Sequence, residues 1–191
     1  MKDLRKPYST KRLVIRPHTL KDFKAWYRFN VDRRKSQNKY DRGPAKPKDI
    51  TLSRFKKMLK KLKLHAQKDK IYVYGAYDKK TGELIGLLDF FVICRAHYQM
   101  ANIGYQVSNK HWGKGYGKEI ARGGIIIGLT QLKLNRIEAS ISTDNKRSLA
   151  IVKSLRMRYE GMRKNYICEG KKWIDLVSFA VTPRDVGLKP V

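Results

Sequence analysis

With 191 residues and 41% hydrophobic content, the chain suits a single domain (1–191) that buries about 70% of its unfolded surface. Lys and Arg number 44 against 16 Asp and Glu, a net charge of +28, and such a field draws polyanions and repels small polycations. No apolar run approaches the roughly 20 residues a bilayer span needs, residues 1–16 lack a secretory signal's apolar core, and the two cysteines and four histidines show neither disulfide nor metal-ligand spacing.

The expectation is therefore a cytoplasmic protein with no metal and no membrane partner, its thiols Cys94 and Cys168 buried in strand-like runs. The charge is concentrated: residues 1–70 hold 24 Lys and Arg against 6 Asp and Glu, which points to ribosome, RNA or an acidic protein as a partner.

From the N-terminus, Lys11 to Pro17 alternates, with Leu13 and Ile15 against Arg12, Val14 and Arg16, and predicts a strand. Thr19 and Asp22 form a capping-box pattern that opens a helix with an apolar stripe of Leu20, Phe23, Trp26 and Tyr27. Residues 30–49, polar and punctuated by Gly43, Pro44 and Pro47, predict an exposed loop. The next helix is two-sided: Leu52, Phe55, Met58, Leu59, Leu62 and Ala66 share one face at helical spacing. Arg54, Lys56, Lys57, Lys60, Lys61 and Lys63 take the rest, as a docking surface or a solvated face. From Ile71 the period becomes two, and Ile71–Tyr77, Leu84–Cys94 and Met100–Val107 predict an antiparallel meander. Turn chemistry at Asp78-Lys79-Lys80-Thr81-Gly82 joins the first two.

Trp112-Gly113-Lys114-Gly115-Tyr116-Gly117-Lys118 follows, with three glycines in five residues between a strand and a helix. Glycines let successive backbone N–H groups point into one concavity. The helix behind adds free N–H groups and the positive end of its dipole. A phosphate-bearing ligand is the expected occupant, with Lys114 and Lys118 adding charge. The spacing is neither that of a P-loop nor that of a dinucleotide fingerprint. The helix, about Gly117 to Leu132, carries Gly123, Gly124 and Gly128, each costing up to about 1 kcal/mol relative to alanine, so the sheet must approach it closely. Arg136–Ser142 predicts a strand joined by a parallel crossover, Asn145–Leu155 a helix, and Tyr159–Cys168 with Trp173–Val181 a closing hairpin.

This order of elements resembles the GNAT acetyltransferase superfamily, and within it the RimJ/RimL-type branch of ribosomal-protein N-terminal acetyltransferases. Four pieces carry the resemblance over about residues 8–182: Arg12-Leu13-Val14-Ile15-Arg16-Pro17, Gly104-Tyr105-Gln106-Val107, the Trp112–Gly117 loop in its Q/R-x-x-G-x-G/A position, and Asp144-Asn145-Lys146-Arg147-Ser148. The resemblance implies an α/β (α+β) fold: one mixed, mostly antiparallel twisted sheet of about seven strands flanked by four helices. It implies acetyl-CoA as co-substrate, its pyrophosphate on the amides of Gly113 to Lys118 and its pantetheine arm along Tyr105, Gln106 and Val107. A backbone N–H there would steady the oxyanion of acyl transfer. Trp112, Tyr116 and Asn145 join the coenzyme contacts, and Ser148 becomes the candidate acid for the departing thiolate. Capping of the last helix explains Asn145 equally well.

Relatives often carry a Glu, a plausible general base, where this chain has Asn102. Asp89 and Glu138 are the possible substitutes. An α-amine has a pKa near 7.7–8.0 against about 10.4 for Lys, so a missing carboxylate favours an N-terminal α-amine of a ribosomal or acidic protein as acceptor. Two rivals stand beside that reading: a transferase of the same fold acting on a small amine or antibiotic, and a catalytically weak module that binds RNA or ribosome through its basic face. A homodimer is compatible with all three.

Overall fold

Alternating apolar residues dictate the sheet. Leu13 and Ile15 are fully buried in β2 (Leu13–Arg16), as are Leu88 and Phe90 in β4 (Leu84–Cys94). In this computed structural model, which describes residues 6–190, one eight-stranded sheet runs in the order β1-β2-β3-β4-β5-β6-β8-β7. The remaining strands are β1 (Tyr8–Ser9), β3 (Ile71–Asp78), β5 (Met100–Val107), β6 (Arg136–Ser142), β7 (Arg158–Glu169) and β8 (Lys172–Val181). Every neighbouring pair is antiparallel except β5–β6, the predicted crossover. The eighth strand, β1, is two residues long and pairs with Val14 and Ile15, too short to show a period.

The four helices are α1 (Phe23–Val31), α2 (Leu52–Gln67), α3 (Tyr116–Thr130) and α4 (Lys146–Ser154). The glycines of α3 do what their cost demands. A Cβ on Gly123 would fall 2.6 Å from Ile15 Cδ1, on Gly124 2.6 Å from Leu88 Cδ1, and on Gly128 2.6 Å from Ile137 Cδ1. The helix therefore lies directly on the sheet. The other face of β4 carries Leu87, which packs with Phe29 of α1. Phe55 of α2 meets Phe23 and Trp26, 5.7 and 4.9 Å between ring centres, so α1 and α2 form one layer opposite α3.

Several sequence expectations are corrected. The capping box at Thr19 and Asp22 is present, but it opens a short 3-10 turn that leads into α1. Cys94 is half-buried and Cys168 exposed, because the far end of the β7–β8 hairpin reaches past the core that would cover it. The segment after α1 is not simply a solvated loop: Asp41 is buried within it. After α4, Arg156 adopts the left-handed conformation (φ 56°), and Met157 beside it fills the core.

His18 couples this core to pH. Its Nδ1 lies 2.6 Å from Tyr77 Oη and its ring meets Phe55 edge-on. Burial pushes its pKa down to about 4, so the folded chain holds it neutral while an unfolded chain protonates it near 6.5. This contribution is complete above pH 6.5 and lost as pH falls, by about 2 kcal/mol at pH 5. Urea titrations of parent and His18→Gln from about pH 7 to 5 check it: the variant should lose most of that pH dependence, and an unchanged slope refutes the assignment.

Candidate active site

The site begins where two strands part. β5 and β6 pair over three positions, Met100–Asn102 with Arg136–Glu138; β6 pairs with β8 along its other edge, and beyond Asn102 β5 has an open edge. The Ser108 N–H donates to the Ile85 carbonyl, which makes Gly86–Val107 a pair whose own peptide groups point away from β4. By the antiparallel alternation, Tyr105 and Val107 turn their backbone to the opening and Gln106 turns its own to β4. The Val107 carbonyl accepts from the Trp112 indole (3.0 Å), so Tyr105 and the Val107 N–H offer hydrogen bonds to a ligand.

A cleft of about 820 Å³ fills this opening, and Tyr105, Gln106, Val107, Trp112, Gly113, Gly115, Tyr116, Gly117, Lys118, Asn145 and Ser148 all line it. The glycines of the loop have distinct tasks. Gly113 and Gly115 are left-handed, at φ 79° and 77°, with open space where a Cβ would stand on Gly113. Gly115 caps α3, so the N–H groups of Tyr116, Gly117 and Lys118 have no acceptor within the helix. Gly117 serves packing instead: a Cβ there would lie 2.8 Å from Ile151 Cδ1 of α4. Of the two predicted lysines, Lys118 borders the cleft, while the Lys114 side chain lies outside it.

Arg12 holds this loop, a role that sequence spacing does not reveal. Its Nη1 donates to the Lys114 carbonyl (2.9 Å), its Nε to Glu119 (2.7 Å), and its guanidinium stacks 3.9 Å from the Tyr116 ring centre. Glu119 also accepts from Thr10 Oγ1 and the Arg12 N–H. Burial alone would raise its pKa, but these donors pull it below the usual carboxylate value, so it is a fixed anion that ties α3 to β2.

Across the cleft, the Asn145 side chain accepts the Ser148 N–H (3.2 Å), the capping role, which leaves its NH₂ group to face a ligand. Arg147 stacks on Trp112 at 3.9 Å. The Tyr105 hydroxyl donates to the Ser148 carbonyl (3.4 Å), and burial pushes the phenol pKa up, keeping it a proton donor beside Ser148. Arg33, Lys39 and Tyr40, from the loop after α1, form a third wall. Lys39 Nζ lies 2.6 Å from Asp144, and the Tyr40 hydroxyl donates to the same carboxylate. Asp144 is the sole carboxylate among the described residues lining the cleft, against Arg33, Lys39, Lys118, Lys146 and Arg147. Open glycines, free amides and this cationic lining fit a ligand bearing phosphates.

The residues match a domain model described as Acetyltransferase (GNAT) domain over positions 12–158. The chain belongs to the GNAT acetyltransferases. It is 33% identical over 128 residues (67% of this chain, 70% of the other) to the uncharacterized N-acetyltransferase p20 of Bacillus licheniformis. It is also 30% identical over 121 residues (63% and 62%) to the [ribosomal protein uS5]-alanine N-acetyltransferase of Escherichia coli. Its fold superposes on Mycobacterium smegmatis RimJ, solved in complex with CoA-disulfide, with TM-score 0.73, 21% identity and coverage of 91% and 83%. The acetyl donor of GNAT enzymes is acetyl-CoA, whose phosphates suit the cradle described.

In this GNAT domain Asn102 and the two base candidates have different surroundings. Asn102 donates to Ser140 Oγ (3.1 Å). Glu138 is buried, with Arg136 Nε and Arg163 Nη2 at 2.9 and 2.8 Å from its two oxygens, so both oxygens are committed to ion pairs. Asp89 has no hydrogen bond or ion pair among the described residues, and burial raises its pKa.

Proposed function

We propose that this chain transfers the acetyl group of acetyl-CoA to a primary amine, the N-terminal α-amine of a ribosomal or acidic protein. The observation that carries the reading is the left-handed glycine cradle at the mouth of the β5–β6 opening, where phosphates and the free β5 backbone are reached by one ligand. Acetyl-CoA supplies an activated thioester. The amides of Tyr116 to Lys118 hold its phosphates, the Tyr105 and Val107 backbone aligns its arm, and Ser148 gives the departing sulfur a proton. No covalent enzyme intermediate is required, because the amine attacks directly.

The acceptor class rests on charge. The sole cleft carboxylate, Asp144, is already paired with Lys39, which disfavours a polyamine. On α2, Arg54, Lys56, Lys57, Lys60, Lys61 and Lys63 are exposed, and among the described residues only Arg54 has an ion-pair partner, Asp49. A face of free lysines supports docking of an acidic protein, or of ribosomal RNA next to a ribosomal protein.

One assay tests these points: mass-spectrometric acetylation of peptides with free termini, of the same peptides blocked at the terminus but containing Lys, and of a polyamine. Free-terminus peptides should be acetylated, fastest with acidic residues downstream, with that preference fading as salt rises. Ser148→Ala should slow turnover without weakening acetyl-CoA binding. Equal rates on blocked Lys peptides, or preference for the polyamine, would reject the acceptor assignment.

A further inference from the structure

The acceptor enters such a reaction as an ammonium and must lose a proton before it can attack. Asn102 is committed to Ser140 and Glu138 to two arginines, so the proton has to go elsewhere. Asp89 stands in β4 opposite Gly104 of β5 and Val73 of β3, on the face of the sheet that turns away from α3. Gly104 lies two residues past the last β5–β6 pair, at the vertex of the opening, and its neighbour Tyr105 lines the cleft. The carboxylate leans over this glycine: Oδ2 and Oδ1 are 2.6 and 2.7 Å from where a Cβ on Gly104 would stand. Any side chain there would displace it. Asp89 is thus a mostly buried carboxylate, unpartnered among the described residues, just behind the cleft lining, that the central strand leaves room for one residue before its backbone turns to the opening.

We propose that Asp89 takes the proton from the acceptor's ammonium, directly or through one water, in the transfer reaction on which this inference rests. The ammonium gives one proton to the carboxylate. The nitrogen lone pair then forms the C–N bond as the C–S bond breaks, and the second nitrogen proton replaces the one delivered to the sulfur. Asp89 passes its proton to solvent, so one proton is released per acetyl group. Burial alone raises its pKa, the direction that favours a proton acceptor.

Asp89→Asn and Gly104→Ala test the assignment from two sides, the first removing the carboxylate and the second driving a methyl group into its place. Both should bind acetyl-CoA like the parent, which also reports that they fold. Turnover of a free-terminus peptide should fall by about 100-fold at pH 7 in Asp89→Asn. The deficit should shrink toward about pH 9, where solvent has already freed the amine. Parental turnover at neutral pH, or a deficit that ignores pH, overturns the base role. If the parent itself acetylates no amine, the transferase reading fails separately. Calorimetry of the same peptide on CoA-loaded protein then still decides: weaker binding by Asp89→Asn supports a carboxylate that meets the ammonium, and equal binding overturns it.

Discussion

Gly115→Asp should abolish acetyl-CoA binding in a domain that remains folded. The position has φ 77°, so any side chain costs about 1–3 kcal/mol of backbone strain, with Asp at the low end. A Cβ there would stand 3.7 Å from Arg12 Nη2 and, among the described residues, touch nothing else. The new carboxylate therefore has room and a cation beside it, which favours folding. For the ligand both effects are adverse: a negative charge enters the phosphate cradle, and the cation that steadies the loop is drawn to it. Losing charge-assisted contacts worth about 1.5–3 kcal/mol each corresponds to roughly 100-fold or more in affinity. Calorimetric titration with acetyl-CoA, beside a thermal melt, gives the answer. Unchanged affinity would remove the cradle from the mechanism, whereas loss in step with unfolding would make Gly115 a folding residue only.

The loop, the four helices and most of the strands could be read from sequence because their signals are local. Glycines at 113, 115 and 117, the stripe Phe55–Met58–Leu59–Leu62, and the alternation through Leu84–Cys94 each declare themselves within a few residues. The site's supports are different in kind. Arg12 reaches Glu119 and the Lys114 carbonyl, and Tyr40 reaches Asp144, contacts that span about a hundred positions. No periodicity encodes such pairings. Glu138 shows the same limit from the other side. The sequence offers it only as a substitute base, and its partners Arg136 and Arg163, the latter supplied by β7, show it to be ion-paired. The base candidates could be ranked only when their partners were visible. Within residues 30–49 composition is ambiguous, since Gly, Pro and charged residues describe a solvated loop equally well as one folded around a buried ion pair.

That ion pair supports the second large prediction. Arg33 and Asp41 have side chains 4% and 0% exposed and meet at 2.9 Å. Asp41 also accepts from Asn109 Nδ2 (2.9 Å) and the Gln37 N–H (3.0 Å). Burial would raise its pKa, but Asn109, Arg33 and Gln37 together hold it below the usual carboxylate value. Its contribution is thus present above the unfolded pKa of about 4 and lost as pH falls through the lower folded value. Among the described residues Arg33 Nε has no hydrogen-bond partner, so the guanidinium depends on Asp41 for compensation. Asp41→Ala would leave a buried, unpaired cation and should cost about 3–5 kcal/mol, or a melting-temperature drop of roughly 10 °C. Asp144→Ala breaks a pair whose side chains are 54% and 56% exposed and should cost below about 1 kcal/mol. The contrast between the two, measured by denaturant titration at neutral pH, separates burial from mere pairing. Arg33→Met combined with Asp41→Leu should recover most of the loss, because replacing both members of a buried pair removes the desolvation cost along with the attraction. If the single Asp41 variant is no worse than Asp144→Ala, the segment is held by its backbone hydrogen bonds to Asn109, and Lys39 and Tyr40 reach the cleft without help from the buried charge.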